Sequence, residues 1–248
     1  MIQLNKKIKF GFTIVELMLS MTFISALLLA IATMTMRMTS MYVKGNTMKD
    51  LNSASRTIND DFTHTFNSMT TTPTWSTSDN AQKSGASYIS NENYGAFCTG
   101  EYSYLWNTAK SLNATNDNTT IRFNDKTSAK DKSLRLVKVK DSLKSFCSGG
   151  ASLSEVPIDD TTTNLLPNTE TGLMVYGIRF YSNDSDLYDA STSQRVVNIS
   201  YILGTKDDSG NGIINSSSMT CDPTKSQSVQ DYCAINKFEL TVRTIGRK

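Results

Sequence analysis

From Phe10 to Met36 the chain carries no lysine, arginine or aspartate, and Glu16 is its only ionisable side chain. The centre of this run, residues 12–31 (FTIVELMLSMTFISALLLAI), has the length and composition of a membrane-crossing helix. As a helix it would span about 30 Å, one hydrocarbon thickness. A carboxylate at such depth costs about 2.5–3.5 kcal/mol on insertion scales, so Glu16 is expected to have a function and a partner. Lys6, Lys7 and Lys9 precede the run. They should hold the N-terminus on the cytoplasmic side and leave the remainder exported.

Small and apolar residues continue beyond the span at Met34, Met38, Met41, Gly45, Met48, Ser55, Ile58, Phe62 and Phe66, mostly three or four apart. Arg37, Lys44, Lys49, Asp50, Arg56, Asp60 and Asp61 fill the other faces. This pattern predicts an amphipathic continuation of the same helix. No proline interrupts it before Pro73. One helix from Phe12 to Ser68 would be roughly 85 Å long. Gly45 is its weakest interior position, costing about 1 kcal/mol relative to alanine.

Beyond the helix the composition is that of one β-rich domain. Residues 70–118 are rich in Ser, Thr and Asn, with Tyr94, Phe97, Tyr102, Tyr104 and Trp106 clustered among them. They predict a long, partly irregular connection containing short elements and pinned to the core by its aromatics. TIRFN (120–124), SLRLVKVK (133–140) and KFELTVRTI (237–245) alternate as strands with one wet face. GLMVYGIRFY (172–181) and RVVNISYILG (195–204) are stronger strand runs. The fold class is α+β: a long N-terminal helix on a mainly antiparallel sheet. Its segments are 1–11, a basic leader; 12–33, the apolar span; 34–68, the amphipathic half; and 69–248, the globular domain.

The 248 residues suffice for one core, and the net charge is +2. Without the three leading lysines, 22 basic residues (25 − 3) face 23 acidic ones. No bias toward nucleic acid or anionic lipid remains, and few basic residues interleave the aromatic cluster, as a base-stacking platform would need. No hydrolase, P-loop, zinc-protease or dinucleotide motif appears, so the expectation is a structural protein with no cofactor and no metal. His64 reads as a solvated surface histidine. KDDSGNG (206–212) offers oxygens from Asp207, Asp208 and Asn211 but lacks a closing glutamate, and it reads as a polar turn. Asn-X-Ser/Thr triplets begin at Asn113, Asn118, Asn183, Asn198 and Asn215, as chance allows in such a composition. The four cysteines, Cys98, Cys147, Cys221 and Cys233, form no CxxC pair. In an exported domain they favour two disulfides, and the residues alone leave three pairings open.

If the chain were cut after Gly11, Phe12 would carry a free amine one helical turn from Glu16. The amine of one copy could then meet the carboxylate of its neighbour in a helix bundle. KFGFTIVELMLS (9–20) resembles the leader junction of type IV pilins and type II secretion pseudopilins: a short basic leader, a glycine, a phenylalanine, and a glutamate four residues later. The resemblance implies cleavage between Gly11 and Phe12 by a membrane prepilin peptidase, N-methylation of Phe12, and an assembly role for Glu16. It implies a filament whose core is the long helix and whose surface is the β-domain, built from other pilin subunits on an inner-membrane assembly platform. The subunit would be a single-pass protein of the cytoplasmic membrane before assembly and extracellular afterwards. Any contact with nucleic acid would come through the filament.

The order of GLMVYGIRFYSND, RVVNISYILG and KFELTVRT is similar to the sheet of J-type minor pseudopilins and related minor pilins. Many major pilins have a proline where this chain has Thr33, which with the chain's size points to a minor subunit. The resemblance further implies a Cys221–Cys233 loop, the other pair being Cys98 and Cys147. The expected function is a minor type IV pilin, with a minor type II secretion pseudopilin as the alternative. A secreted binding protein with an ordinary signal peptide cut after AIA (30–32) would expose Thr33 instead of Phe12. Against it, Glu16 interrupts the apolar core of such a signal. A single-span membrane enzyme with an external domain is a further rival, though no recognised active site speaks for it.

Overall fold

The computed structural model describes residues 11–69, 88–112, 121–123, 134–147, 155–157, 160–166, 172–181, 188–189, 194–206, 213–215, 218–225, 230 and 232–244. The chain divides into two compact units, Met1–Val43 and Lys44–Lys248, with the boundary inside helix α1 (Ile14–Ser68).

In the first unit α1 is apolar and exposed all round, and it is long and apolar enough to cross a membrane. Its hydroxyls are satisfied within the helix. Ser20 donates to Glu16 O, Ser25 to Met21 O, Thr33 to Ala30 O and Thr39 to Thr35 O, all at 2.8–2.9 Å. Such bonds let Ser and Thr sit in an apolar span without leaving a donor unpaired.

In the second unit the rest of α1 packs on antiparallel sheets. Its buried seam is Thr47, Leu51, Ser55, Ile58, Phe62, Thr65 and Phe66. The seam therefore begins differently from the sequence expectation. Met34, Met38, Met41, Gly45 and Met48 are exposed, and Thr47 and Leu51 carry the buried line upstream of Ser55. A run of apolar residues with no sheet against it satisfies the helical period without being buried by it.

The remaining elements are β1 (Tyr88–Ser90), β2 (Tyr94–Cys98), β3 (Tyr102–Asn107), the single turn α2 (Ala109–Leu112), β4 (Arg122–Phe123), β5 (Leu136–Lys140), β6 (Glu155–Val156), β7 (Thr162–Asn164), β8 (Leu173–Tyr181), β9 (Tyr188–Asp189), β10 (Gln194–Thr205), β11 (Ile214–Asn215), β12 (Thr220–Cys221) and β13 (Ile235–Arg243). One sheet runs β1-β2-β3-β5-β7 and the other β13-β10-β8, with β9 pairing the start of β10. Both are antiparallel. A parallel bridge, Thr108 to Val175, links the end of β3 to β8, and the short pair β4–β6 is also parallel.

Phe62 joins the two sheets. Its ring lies edge-on to Tyr104 of the first sheet at 4.8 Å, and to Phe180 and Tyr201 of the second at 5.7 and 6.2 Å. Truncating a ring buried in this way to alanine typically costs about 3–5 kcal/mol. The region 88–112 is more regular than its composition suggests. Phe97, Tyr104 and Trp106 face the helix, while Ala96, Cys98 and Leu105 face a second cluster with Ile121, Val137, Val139 and Val156.

Through β2, β3 and most of β5 the first sheet is thus buried on both faces, and of the charged residues expected on a wet face of 133–140 only Lys140, at the strand's end, is exposed. Lys138 points at α1, where it pairs with Asp61, and Arg135 is buried. Asn107 stitches the second cluster together by donating to Ile121 O and Leu134 O, each at 2.7 Å, and accepting from Ile121 N at 2.9 Å. Asp141 accepts from Ser103 Oγ at 2.7 Å and Ser145 N at 3.0 Å, fixing the turn that delivers Cys147 to Cys98.

Candidate assembly site at the helix N-terminus

The predicted processing and assembly residues lie at the start of α1, with Glu16 in its first turn. Gly11 and Phe12 precede the helix, and both are exposed. A Cβ built on Gly11 meets nothing within 4 Å, so packing within the chain does not require glycine there. Residues 1–10, with the three leading lysines, lie outside the described residues.

Glu16 has a local partner that the sequence reading missed. Its Oε2 accepts from Thr13 N at 3.2 Å and from Thr13 Oγ1 at 3.0 Å, while Glu16 N faces Thr13 Oγ1 at 3.3 Å. With α1 beginning at Ile14, Thr13 is the N-cap and Glu16 the third helical residue. This is a reciprocal capping box, and its signal was legible as T-x-x-E opening an apolar run (Thr13-Ile14-Val15-Glu16). The positive end of the helix dipole also favours a carboxylate in this turn. The carboxylate is therefore partly compensated inside a single copy of the chain, by Thr13. One oxygen, Oε1, has no partner among the described residues and remains available to a second group.

The cysteines form Cys98–Cys147 and Cys221–Cys233, with Cα separations of 6.2 and 6.0 Å. The first closes the second cluster, where Cys98 and Cys147 are both buried. The second ties β12 to the residue before Ala234 and β13.

His64 is exposed on α1. Asn198 lies on β10 and accepts from Thr241 Oγ1 at 2.8 Å, and Asn215 caps the turn after β11 by accepting from Ser218 N at 3.2 Å. Of the 206–212 turn only Lys206 is among the described residues, as Asn113, Asn118 and Asn183 are not. Among the described residues no cluster of three or more His, Cys, Asp or Glu side chains is placed to hold a metal.

A cleft of about 1140 Å³ opens on the face of the second sheet turned away from α1, with Gly177 and Ile202 on its floor and Tyr88, Tyr176 and Arg179 beside them. Gly177 leaves open space where a side chain would stand. The tyrosine hydroxyls are engaged with the backbone, Tyr88 donating to Ile178 O at 3.2 Å and Tyr176 to Thr205 O at 3.0 Å.

Among known proteins, no family model, no curated protein and no solved structure matches this chain.

Proposed function

We propose that the chain is a minor type IV pilin, a structural subunit of a type IV pilus-like surface filament. The observation that carries this reading is the form of α1. It is capped at Glu16, apolar and exposed over a membrane's thickness, and then continues without a break into a half that α+β packing buries. A helix exposed in that way needs lipid before assembly and copies of similar helices afterwards. Glu16 makes sense at such an exchange, because the free oxygen of its capped carboxylate can accept the Phe12 amine of a neighbouring subunit once the chain is cut after Gly11. A prepilin peptidase would make that cut and remove Lys6, Lys7 and Lys9, releasing the helix from its cytoplasmic anchor. The subunit would then pass to an inner-membrane assembly platform and outward with the filament. A minor pseudopilin of a type II secretion system would use the same helix and the same processing.

The deciding experiment is the N-terminal residue and mass of the mature chain recovered from membranes. The expected result is N-methylated Phe12. A mature chain beginning at Thr33 would make α1 an ordinary signal peptide, and one that keeps Met1 would make it a plain anchor. Either result overturns the proposal.

A further inference from the structure

We propose that β13 pairs with β13 of a second copy of this chain, joining two β-domains in a two-fold, edge-to-edge sheet. The inference concerns the outer domain and does not depend on the filament reading. β13 ends its sheet: it pairs with β10 on one side, and among the described residues no strand lies on the other. The outward N–H and C=O groups of such an edge are a template for a further strand. Proteins commonly guard such edges with charged side chains, especially lysine, and a guard of one sign repels a second copy. Here Lys237 and Glu239 have opposite signs, stand two residues apart on the exposed face, and lie 2.6 Å from each other.

That arrangement selects one pairing. A strand paired antiparallel with its own copy keeps its exposed face exposed only when the two-fold passes through a residue. Centred on Phe238, the two copies pair Ile235–Thr241, and Lys237 of each stands opposite Glu239 of the other. Centred on Glu239, two carboxylates face each other. Centred on Leu240, Lys237 faces Arg243, and centred on Lys237, two ammonium groups meet. Centring on Thr241 sets Glu239 against Arg243 but pairs only the shorter stretch Glu239–Arg243. The long register with reciprocal opposite charges is therefore the one through Phe238. On the other face it brings the two Phe238 rings together, each half-buried and stacked on its own Tyr201 at 5.3 Å. Cross-strand aromatic and opposite-charge pairs are the contacts that stabilise antiparallel ladders. One ladder buries less than the roughly 1,200–2,000 Å² of a tight complex, so the dimer is weak and the charge pairs decide whether it forms.

The test is a charge exchange in the full chain, held in detergent micelles and followed by sedimentation over a range of concentrations. Lys237→Glu leaves two carboxylates on the edge, and Glu239→Lys leaves two ammonium groups. Both side chains are exposed, so the fold should tolerate each change. Each variant alone is expected to weaken self-association by about tenfold or more, since two attractive pairs become repulsive. Mixing the two variants is expected to restore association, as is the double exchange Lys237→Glu/Glu239→Lys. A wild-type chain that stays monomeric throughout overturns the proposal. So does association that both single variants leave unchanged, which would place it in the apolar helices, and so does a mixture that associates no better than its components.

Discussion

The hydroxyl of Tyr104 donates to the Asp61 carboxylate at 2.6 Å, across the boundary between α1 and the first sheet. Lys138 completes the group. Its ammonium reaches Asp61 Oδ1 at 2.9 Å and Thr65 Oγ1 at 2.7 Å, and stands 4.5 Å from the centre of the Tyr102 ring. Four polar side chains, Asp61, Thr65, Tyr104 and Lys138, thus fix where the helix sits on β3 and β5.

Removing one member of this group should cost more than removing a surface pair. Among the described residues, Lys138→Met leaves Asp61 with the tyrosine alone as partner, in a site where Lys138 and Asp61 are mostly covered. A loss of about 2–3 kcal/mol is expected. Tyr104→Phe should cost about 1–2 kcal/mol, and the pair of changes less than the sum, because both act on the same carboxylate. Urea unfolding of the three variants in detergent measures this. Strict additivity would mean that the groups act independently.

The second sheet meets α1 through a similar contact with a different pH signature. Tyr201 donates to Asn59 Oδ1 at 2.7 Å and lies 2.9 Å from the Ser55 hydroxyl. Burial pushes its hydroxyl up to about 12, a rise that the Ser55 contact only partly offsets. The folded chain then holds this proton more tightly than the unfolded one, so stability is whole below the ordinary tyrosine value near 10 and declines as pH rises toward 12. Burial also raises Tyr104, the nearby Asp61 charge adding to the effect, and this acts in the same direction. Denaturant midpoints between pH 9 and 12 should fall with a shallower slope in Tyr201→Phe than in wild type. Equal slopes would remove Tyr201 as a source of alkaline instability.

How much of this was legible in the residues depended on whether a face was wet. β13 reads correctly because exposed residues such as Lys237 and Glu239 mark its outer face with period two, and β8 and β10 because their runs of β-branched and aromatic residues are long. β1 to β3 read as irregular because both faces of the first sheet are buried, so Ala96 and Leu105 alternate with Phe97 and Tyr104 and give no polar beat. Lys138 misled for the complementary reason, a charge on the buried side that only a partner on α1 explains. Leu51 was passed over because an exposed methionine, Met48, satisfied the helical period equally well. At the N-terminus the motif around Glu16 was read for what it does between copies, and its local cap by Thr13 was overlooked.

Two glycines separate packing from permissiveness. A Cβ on Gly95 would fall within the Trp106 ring, which lies over its cross-strand partner as a substitute for the missing side chain. Gly177 meets nothing. Gly95→Ala is expected to destabilise by about 1–3 kcal/mol, as overpacking does, while Gly177→Ala stays within about 0.5 kcal/mol. Thermal melting compares them directly, and a tolerated Gly95→Ala would mean that the indole has room to move.

Glu16 has two partners to distinguish: Thr13 within its own chain and, on the proposed reading, the Phe12 amine of a neighbour. Glu16→Ala removes both. In the membrane the variant loses a charge that costs a few kcal/mol. In a filament it strands the neighbour's amine, and breaking one side of a buried pair costs about 3–5 kcal/mol. At about 1.4 kcal/mol per decade, that shifts assembly by two to four decades. Glu16→Gln keeps an acceptor without the charge and should fall between. Thr13→Val keeps the charge and the Thr13 N–H contact and deletes only the hydroxyl's part of the cap, worth about 1 kcal/mol, so assembly should drop by about tenfold or less. The outer domain, whose buried contacts begin at Thr47, should melt alike in all four proteins. The measurement is the ratio of sheared to membrane-held subunit, with cleavage after Gly11 followed separately. If Thr13→Val fails as completely as Glu16→Ala, the glutamate serves the cap and the pairing between subunits is wrong. If Glu16→Ala assembles normally, neither partner matters for assembly.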